Sequence, residues 1–281
     1  MHIGVTIHAT DRAMSPVTLA QEAEDRGFHS LYIPEHTHIP TSRETPAPTG
    51  TDVLGDEYLR SLDPYIALAA AATNSSRILL GTGIGLVAQH DPITFAKQLA
   101  TLDLLSEGRL VLGIGYGWNR EEMRNHGIEF ESRRALVREK MLAMQELWSQ
   151  QEASFSGEFV RFEPSWMWPK PIQQPRPRVL IGGAAGPSLF EHIAEYADGW
   201  LPIGGSGMKA ALGELRRAVE ARGRSWSEMH IVPMGVFPDP GKLDYYRELG
   251  ATETVLRLPS APRDEVMPVL DEYAALLSKR D

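Results

Sequence analysis

The sequence predicts an α/β fold, a (β/α)8 TIM barrel, from three observations. Short apolar segments alternate with segments of helical periodicity, which indicates parallel strands joined by helical crossovers. The alternation forms eight strand–helix pairs, the number that closes a barrel. Segments such as Ile78-Leu79-Leu80 are apolar without interruption, as expected of strands buried on both faces. An open, doubly wound sheet is the alternative, and it would leave an edge strand exposed.

Each predicted element is short, and turn residues separate it from the next. The predicted strands cover residues 2–7, 30–33, 77–82, 109–113, 179–181, 199–202, 230–234 and 252–256. The predicted helices cover residues 16–26, 62–73, 92–105, about 119–127 with 132–148, 187–196, 208–222, 242–249 and 264–278.

Two proline-rich connections are longer than a simple turn. Residues 34–60 follow the second strand, and residues 150–178 form an insertion after helix 4. Long loops in compact domains are commonly functional lids, and we expect both to face the substrate end of the barrel. Phe155, Trp166 and Trp168 would then cover the substrate, the alternative being that they pack the insertion itself. Neither connection marks a second domain, so residues 1–281 are interpreted as a single domain.

Composition narrows the class of protein. The 281 residues suit one barrel, and 28 basic against 37 acidic side chains leave a formal net charge of −9. This charge disfavours binding to nucleic acid or to an anionic membrane. The absence of cysteine excludes disulfides, thiolate zinc sites and cysteine nucleophiles. With no signal peptide and no apolar run of about 20 residues, we expect a soluble, cytoplasmic protein.

Glycine is concentrated at the positions that follow the predicted strands. In a TIM barrel these positions form the active-site face, and clusters at four strand ends favour a flat, extended ligand across the barrel mouth. For any single glycine, tight turning is the better explanation. The segments after the strands are His8, Glu35-His36-Thr37-His38, Gly83-Ile84-Gly85, Gly115-Tyr116-Gly117-Trp118-Asn119, Gly182-Gly183-Ala184-Ala185-Gly186, Ile203-Gly204-Gly205 and Gly235.

The segment Gly182-Gly183-Ala184-Ala185-Gly186-Pro187 lies between a predicted strand and a predicted helix. Free backbone N–H groups and the helix dipole suit a phosphate or a carboxylate there, although a purely structural turn remains possible. The segment matches neither the dinucleotide-binding fingerprint nor a Walker loop. After the fourth strand, Tyr116 and Trp118 could contact a ring system, or Trp118 could only pack the long loop.

His36 and His38 have the spacing of a metal-binding pair. A hydrolytic metal site needs further ligands, for which Asp198 and Asp239 are the candidates. We favour no resident metal and expect His36 to hydrogen-bond a cofactor or substrate, the remaining alternative being simple packing in the loop.

Several motifs together resemble the luciferase-like monooxygenase (bacterial luciferase) superfamily, and specifically its branch that uses the deazaflavin coenzyme F420. The resemblance covers nearly the whole chain. The motifs are Ile78-Leu79-Leu80-Gly81-Thr82-Gly83-Ile84, Asp91-Pro92, Ala100-Thr101-Leu102-Asp103-Leu104-Leu105-Ser106-Glu107-Gly108-Arg109, Gly113-Ile114-Gly115-Tyr116-Gly117-Trp118-Asn119, Pro169-Lys170-Pro171, Leu180-Ile181-Gly182-Gly183 and Ala197-Asp198-Gly199-Trp200.

The resemblance implies a set of site residues. Glu35 and His36 match an acidic–histidine pair beside the cofactor ring and are the expected catalytic residues. Gly83-Ile84 matches a non-prolyl cis peptide behind the ring. The expected cofactor-binding residues are His8, Gly83, Ile84, Gly115, Tyr116, Gly117 and Trp118 around the ring and its side chain, and Gly183, Ala184, Ala185 and Gly186 at the phosphate.

The resemblance also implies an activity, hydride transfer between F420 and a small organic substrate, with His36 handling the proton. F420-using glucose-6-phosphate dehydrogenases carry an acidic residue in place of Trp118 and a tryptophan in place of Pro40, so sugar-phosphate chemistry is not expected. The alternatives are an FMN-dependent monooxygenase, a metal-dependent barrel hydrolase that uses His36 and His38, and a non-catalytic flavin-binding relative. Members of this family are often dimeric, so the resemblance also implies a homodimer, although no feature of the sequence itself indicates one.

Overall fold

The computed structural model describes residues 1–47, 53–205 and 207–277, and its strands form a parallel sheet that curls into a barrel. The strands are β1 (His2–Thr6), β2 (Ser30–Ile33), β3 (Leu79–Thr82), β4 (Leu110–Ile114), β5 (Ala153–Ser156), β6 (Arg161–Ser165), β7 (Arg178–Gly182), β8 (Gly199–Leu201), β9 (His230–Ile231), β10 (Met234–Val236) and β11 (Glu253–Arg257). Nine of these described strands pair in the order β10-β11-β1-β2-β3-β4-β7-β8-β9, all in parallel.

The helices surround this sheet and alternate with its strands. They are α1 (Pro16–Asp25), α2 (Asp56–Leu59), α3 (Pro64–Ala72), α4 (Pro92–Leu105), α5 (Arg120–Asn125), α6 (Arg133–Ser149), α7 (Pro187–Tyr196), α8 (Met208–Ala221), α9 (Pro240–Glu248) and α10 (Arg263–Ala274). Ser278, the predicted end of the last helix, lies outside the described residues. Over the part of the chain that is described, no helix is long and apolar enough to cross a membrane.

The barrel closes through β9 and β10, which are two halves of one strand interrupted at Val232 and Pro233. On one side, the amide of Val232 donates to Trp200 O at 2.9 Å and that of Met234 to Pro202 O at 2.9 Å. On the other side, the amide of Val255 donates to Pro233 O at 2.9 Å. The ring therefore has eight strand positions and no free edge, which confirms the predicted TIM barrel over the open sheet.

Aspartate–proline pairs fix the starts of three helices. The side chains of Asp63, Asp91 and Asp239 accept hydrogen bonds from the amide three residues further on, and a proline occupies the first helical position each time. The first and third of these helices consequently start at Pro64 and Pro240, two residues from the starts predicted from periodicity alone.

The interior of the barrel is layered, because alternate residues of each strand point inward. Along β11, Glu253 lies at the end where the strands begin, Val255 lies in the middle and Arg257 lies at the mouth. The middle layer is apolar. Its buried cluster consists of Tyr32, Val111, Leu180, Leu201, Val232, Met234 and Val255. A larger apolar core fills the space between the strands and the helices.

The insertion at residues 150–178 contains an antiparallel hairpin of β5 and β6 that the sequence did not reveal. Its turn is held by Glu139 of α6, whose carboxylate accepts the amides of Glu158 and Phe159 at 3.0 and 2.6 Å. Because the insertion connects a helix to the next strand, it joins the barrel at the end opposite the mouth. The prediction that Phe155, Trp166 and Trp168 cover the substrate is wrong, since none of them lines the cavity described below.

Candidate active site

A cavity of about 380 Å³ opens at the mouth of the barrel, where the strands end, and its size is in the range of small-molecule sites. Residues from all eight strand positions or their following loops line it. The long connection after β2 also contributes Tyr58 of α2, so the prediction that this connection reaches the substrate end is confirmed. The lining residues are Thr6, Ile7, His8, Pro34, Glu35, His36, Tyr58, Gly83, Ile84, Leu86, Tyr116, Gly117, Trp118, Arg133, Arg134, Gly182, Gly183, Ile203, Met234, Gly235 and Arg257.

Close packing at the floor of the cavity requires glycine at two of the predicted positions, Gly83 and Gly115. A Cβ atom on Gly83 would overlap the Met234 methyl group, and a Cβ on Gly115 would overlap the Ile84 side chain. These glycines make room for neighbouring side chains, so Gly115 lies beneath Ile84 and is not itself a lining residue. The peptide bond between Gly83 and Ile84 is cis, as the resemblance implied.

The predicted phosphate loop is divided between the cavity and the surface. Gly183 lines the cavity with a φ of 152°, in the region that favours glycine, and its carbonyl accepts a hydrogen bond from Trp200 Nε1 at 3.1 Å. Ala184 and Ala185 are exposed and, like Gly186, are not among the lining residues. Gly186 precedes α7, which begins with Pro187 as predicted.

His36 is held in the cavity wall by a carboxylate. Its Nδ1 lies 2.9 Å from Glu122 Oε2, and the two side chains are only 8% and 1% exposed. The second oxygen of Glu122 accepts the amide of Thr37 at 3.3 Å. An ionised carboxylate only accepts hydrogen bonds, so the proton of the imidazole resides on Nδ1. The Nε2 atom is then the ring nitrogen that Glu122 does not occupy.

Glu35 also lines the cavity, but its carboxylate is occupied by neighbours. One oxygen accepts from the Tyr65 hydroxyl at 3.0 Å and from the Leu86 amide at 2.6 Å, and the other lies 2.6 Å from His90 Nε2. Burial beside this carboxylate raises the pKa of Tyr65 well above its ordinary value. The contacts favour a positioning role for Glu35, and the catalytic role expected for it stays a prediction.

A row of rings forms one wall of the cavity. The ring centroids of His8 and Tyr58 are 4.8 Å apart, and those of Tyr58 and His36 are 5.4 Å apart. The rings of His36 and Trp118 pack edge to face, with centroids 5.7 Å apart. Burial, helped by the charge of Arg257, lowers the pKa of His8 to about 4, so its imidazole is neutral at pH 7. The Nδ1 atom of His8 is buried without a hydrogen-bond partner among the described residues.

Tyr116 and Trp118 line the cavity as predicted, but the Tyr116 hydroxyl points outward. It lies 2.7 Å from His192 Nδ1, and burial raises its pKa to about 12. Its ring lies 4.7 Å from the guanidinium of Arg134. With its hydroxyl engaged by His192, Tyr116 contributes its ring to the cavity lining.

Three cavity-lining arginines were missed by the sequence analysis. Arg133 and Arg134 occupy the first turn of α6, where the helix dipole disfavours a cation. The Nε atom of Arg133 is buried without a partner in the described part of the chain, and burial together with Arg134 lowers its pKa. Two arginines at a helix start, and Arg257 directly after an apolar strand, were the available signals.

The histidine pair considered for a metal is split between two environments. His38 Nε2 lies 2.9 Å from Asn125 Nδ2 and is turned away from the cavity wall that holds His36. The candidate further ligands are elsewhere: Asp198 pairs with Arg176 and Asp239 caps α9. Within residues 1–47, 53–205 and 207–277, no three or more His, Asp or Glu side chains form a group that could hold a metal ion. The ligands proposed for the hydrolase alternative therefore do not form a common site.

Comparison with known sequences places this geometry in a family. An uncharacterized protein of Mycobacterium tuberculosis is 42% identical over 281 residues, covering 99% of both chains. An F420-dependent glucose-6-phosphate dehydrogenase of Kineococcus radiotolerans is 28% identical over 214 residues, which are 73% of this chain and 58% of the relative. An FMNH2-dependent dimethylsulfone monooxygenase of Pseudomonas putida is 32% identical over 150 residues, 52% of this chain and 39% of the relative.

Solved structures agree on the fold. The monooxygenase RslO1 of Streptomyces bottropensis superposes with a TM-score of 0.79 at 23% identity, over the whole of both chains. An F420-dependent secondary alcohol dehydrogenase superposes with a TM-score of 0.77 at 17% identity, over 98% of this chain and 97% of the other. The family model described as luciferase-like monooxygenase matches residues 1–238. The chain thus belongs to the luciferase-like monooxygenase family, whose members include F420-dependent dehydrogenases and FMN-dependent monooxygenases.

Proposed function

We propose that this protein is an F420-dependent oxidoreductase that transfers a hydride between the deazaflavin and a small organic substrate. The observation that carries the proposal is the position of Arg133 and Arg134, two cations at one end of an otherwise largely apolar cavity in a chain of net charge −9. F420-dependent names among the relatives add support.

The residues present fit a flat ligand with an anionic tail. The orphaned Nε of Arg133 and the unfavourable placement of both arginines in the first turn of α6 are relieved by a bound anion. Gly183 adds an open backbone position, because a Cβ there would meet nothing closer than Leu189 at 3.6 Å. Arg133, Arg134 and Gly183 would therefore hold the tail, and Ile84, Tyr116 and Trp118 would border the ring.

Bound F420 would supply a ring carbon that donates or accepts a hydride, which no side chain can do. The chain supplies proton handling and positioning. His36 exchanges a proton at Nε2, because Glu122 keeps the other ring nitrogen protonated. Glu35 fixes the start of the loop after β2, and thereby His36, through Tyr65, Leu86 and His90. The ring wall formed by Tyr58 and Trp118 restricts water around His36.

An FMN-dependent monooxygenase is the second candidate. The same arginines would suit the phosphate of FMN, and relatives named for FMN-dependent or monooxygenase activity support it. A homodimer stays a prediction for either function.

Titration of the purified protein with F420 and, separately, with FMN tests the proposal. We expect F420 to bind at least tenfold more tightly than FMN and reduced F420 to be oxidised by a member of a panel of enones, imines and ketones. Tight FMN binding without F420 binding would favour the monooxygenase. Binding of F420 with no hydride transfer in either direction would favour a non-catalytic relative.

A further inference from the structure

The cavity has a second cationic end that the cofactor proposal does not use. In the eight-position ring, β11 and β1 lie diametrically opposite β4 and β7. Arg133, Arg134 and Gly183 belong to the β4–β7 side, whereas Arg257 ends β11 and His8 follows β1. Two separate polar ends therefore face each other across the mouth, and a ligand tail bound at one end leaves the other end available.

The guanidinium of Arg257, in the cavity wall, makes few contacts with other polar groups of the described residues. Its side chain is 41% exposed, and its one ion pair among the described residues is with Glu57, at 3.5 Å. No hydrogen bond of its guanidinium to described residues accompanies that contact. A guanidinium carries five N–H donors in a planar fork that matches a carboxylate. Most of these donors are available to a ligand.

Two neutral donors lie beside Arg257. His8 is neutral at pH 7, because burial and the charge of Arg257 lower its pKa to about 4. Tyr58 keeps its phenolic proton, because burial raises its pKa, and its ring packs against both His8 and His36. This end thus offers one cation, partly offset by Glu57, and two neutral donors. Such a set suits a monoanion better than a dianion.

We propose that Arg257, with Tyr58 and His8, binds the carboxylate of the substrate, and that the substrate is a small carboxylic acid with an apolar body. This inference rests on the proposed function for the identity of the reaction, and deepens it by naming the substrate class. Tyr58 lies between His8 and His36 in the ring wall, so a carboxylate held at Arg257 places the next few atoms of the substrate beside His36. The apolar body lies against Met234, a lining residue on the strand position next to β11.

Calorimetric titration with three matched probes, 3-phenylpropanoate, 3-phenylpropanamide and 2-phenylethyl phosphate, tests the inference with and without saturating F420. We expect the carboxylate to bind at least tenfold more tightly than the amide and more tightly than the phosphate. R257M should remove the preference for the carboxylate, leave amide binding within about twofold, and leave F420 affinity unchanged. R12M is the matched control. Arg12 forms an ion pair at 3.1 Å with Asp56 of α2, the helix that also carries Glu57, the partner of Arg257, but Arg12 does not line the cavity.

Two further variants separate ligand binding from folding. E57Q removes the competing carboxylate and should tighten binding of 3-phenylpropanoate about threefold, a gain that a damaged fold does not produce. E57Q/R257M removes both charges and should show no carboxylate preference. Equal affinity of the wild-type protein for carboxylate and amide, tighter binding of the phosphate, or displacement of the carboxylate by F420 would overturn the inference. Failure of F420 to bind, with the carboxylate preference intact, would instead contradict the proposed cofactor.

Discussion

Both ends of the barrel carry polar side chains. Those at the closed end are hydrogen-bonded, whereas several at the mouth have no partner among the described residues. At the end where the strands begin, Glu253 is buried and accepts a hydrogen bond from the Ser30 hydroxyl, with Tyr32 packed beside it. Burial raises its pKa to about 7. At the mouth, His8 Nδ1 and Arg133 Nε have no partner in the described part of the chain, and Arg257 keeps most of its donors free.

This difference separates a structural polar cluster from a binding site. Buried polar groups that satisfy one another stabilise one arrangement of the core, whereas unsatisfied donors around an open cavity indicate a missing ligand. The strand β11 carries both kinds of group on its inward face, Glu253 at one end and Arg257 at the other. We therefore expect substitutions at the closed end to change stability, and substitutions at the mouth to change binding and turnover.

The largest expected effect is on the pH dependence of stability, at the closed end. The folded protein keeps the proton on Glu253 up to a pH of about 7, whereas the unfolded chain releases it near 4.5. The contribution of Glu253 to the free energy of unfolding is thus fully present below about pH 4.5 and is lost as the pH rises to about 7. E253Q lacks this loss, so its stability relative to wild type should rise by about 3 kcal/mol over that window.

Urea unfolding of both proteins at several pH values measures this change. Burial lowers the pKa values of His8 and His29 to about 4, so their contribution to the free energy of unfolding is lost as the pH falls from 6.5. Both proteins contain these histidines, so their contribution is absent from the difference between wild type and E253Q. A stability difference that does not vary with pH would show that folding leaves the pKa of Glu253 unchanged, and would contradict the account. Turnover and F420 affinity of E253Q should match wild type at pH 7.

At the mouth, H36A should lower turnover on the order of 10²-fold, because it removes the group that exchanges a proton beside the ligand. H38A is the control, since His38 is two residues away but does not line the cavity. Steady-state rates with the best acceptor from the panel measure both. Equal rates for H36A and wild type would remove His36 from proton transfer.

R133M should weaken F420 binding about tenfold, and added salt should reduce the difference, because the lost contact is to an anion. R120M serves as the reference, because the guanidinium groups of Arg133 and Arg120 stack on the Phe130 ring, 3.5 and 3.9 Å from its centroid, but Arg120 does not line the cavity. Fluorescence titration of F420 provides the dissociation constants. Identical constants for R133M and R120M would place the anionic tail elsewhere.

The smallest expected effect is that of E122Q, about fivefold in turnover. Glutamine keeps a hydrogen-bond acceptor but removes the charged partner that orients the His36 ring through Nδ1, so turnover should fall modestly while substrate affinity stays close to wild type. In the H36A background, E122Q should have no further effect. An additional loss of activity in that double variant would assign Glu122 a role independent of His36.

The sequence predicted the part of this account that depends on periodicity and chain order. Apolar strands, helical spacing and the Gly186-Pro187 helix start indicated the barrel and the face on which His8, His36, Tyr116 and Trp118 meet. The insertion begins after the end of α6 and leads into the start of β7, so chain order attaches it at the end opposite the mouth, contrary to the expectation that it follows a position on the substrate face. The hairpin of β5 and β6 has few buried side chains, so it carries little periodic signal.

Site details that depend on three-dimensional packing were beyond the sequence. Gly115 was expected to contact the ligand, yet it makes room for the Ile84 side chain and does not line the cavity. Gly83 lines the cavity and also makes room for Met234, a packing constraint that the sequence did not show. The partnership of His36 with Glu122 joins residues 86 positions apart. Such pairs are set by the meeting of two barrel loops, which no local pattern records.

A crystal structure of the protein grown with F420 tests the central claim most directly. The account predicts a ring bordered by Ile84 and Trp118 at the barrel mouth, with the anionic tail at Arg133 and Arg134 and with Arg257 free of cofactor. Electron density for the tail at Arg257, or for the ring outside this cavity, would contradict it.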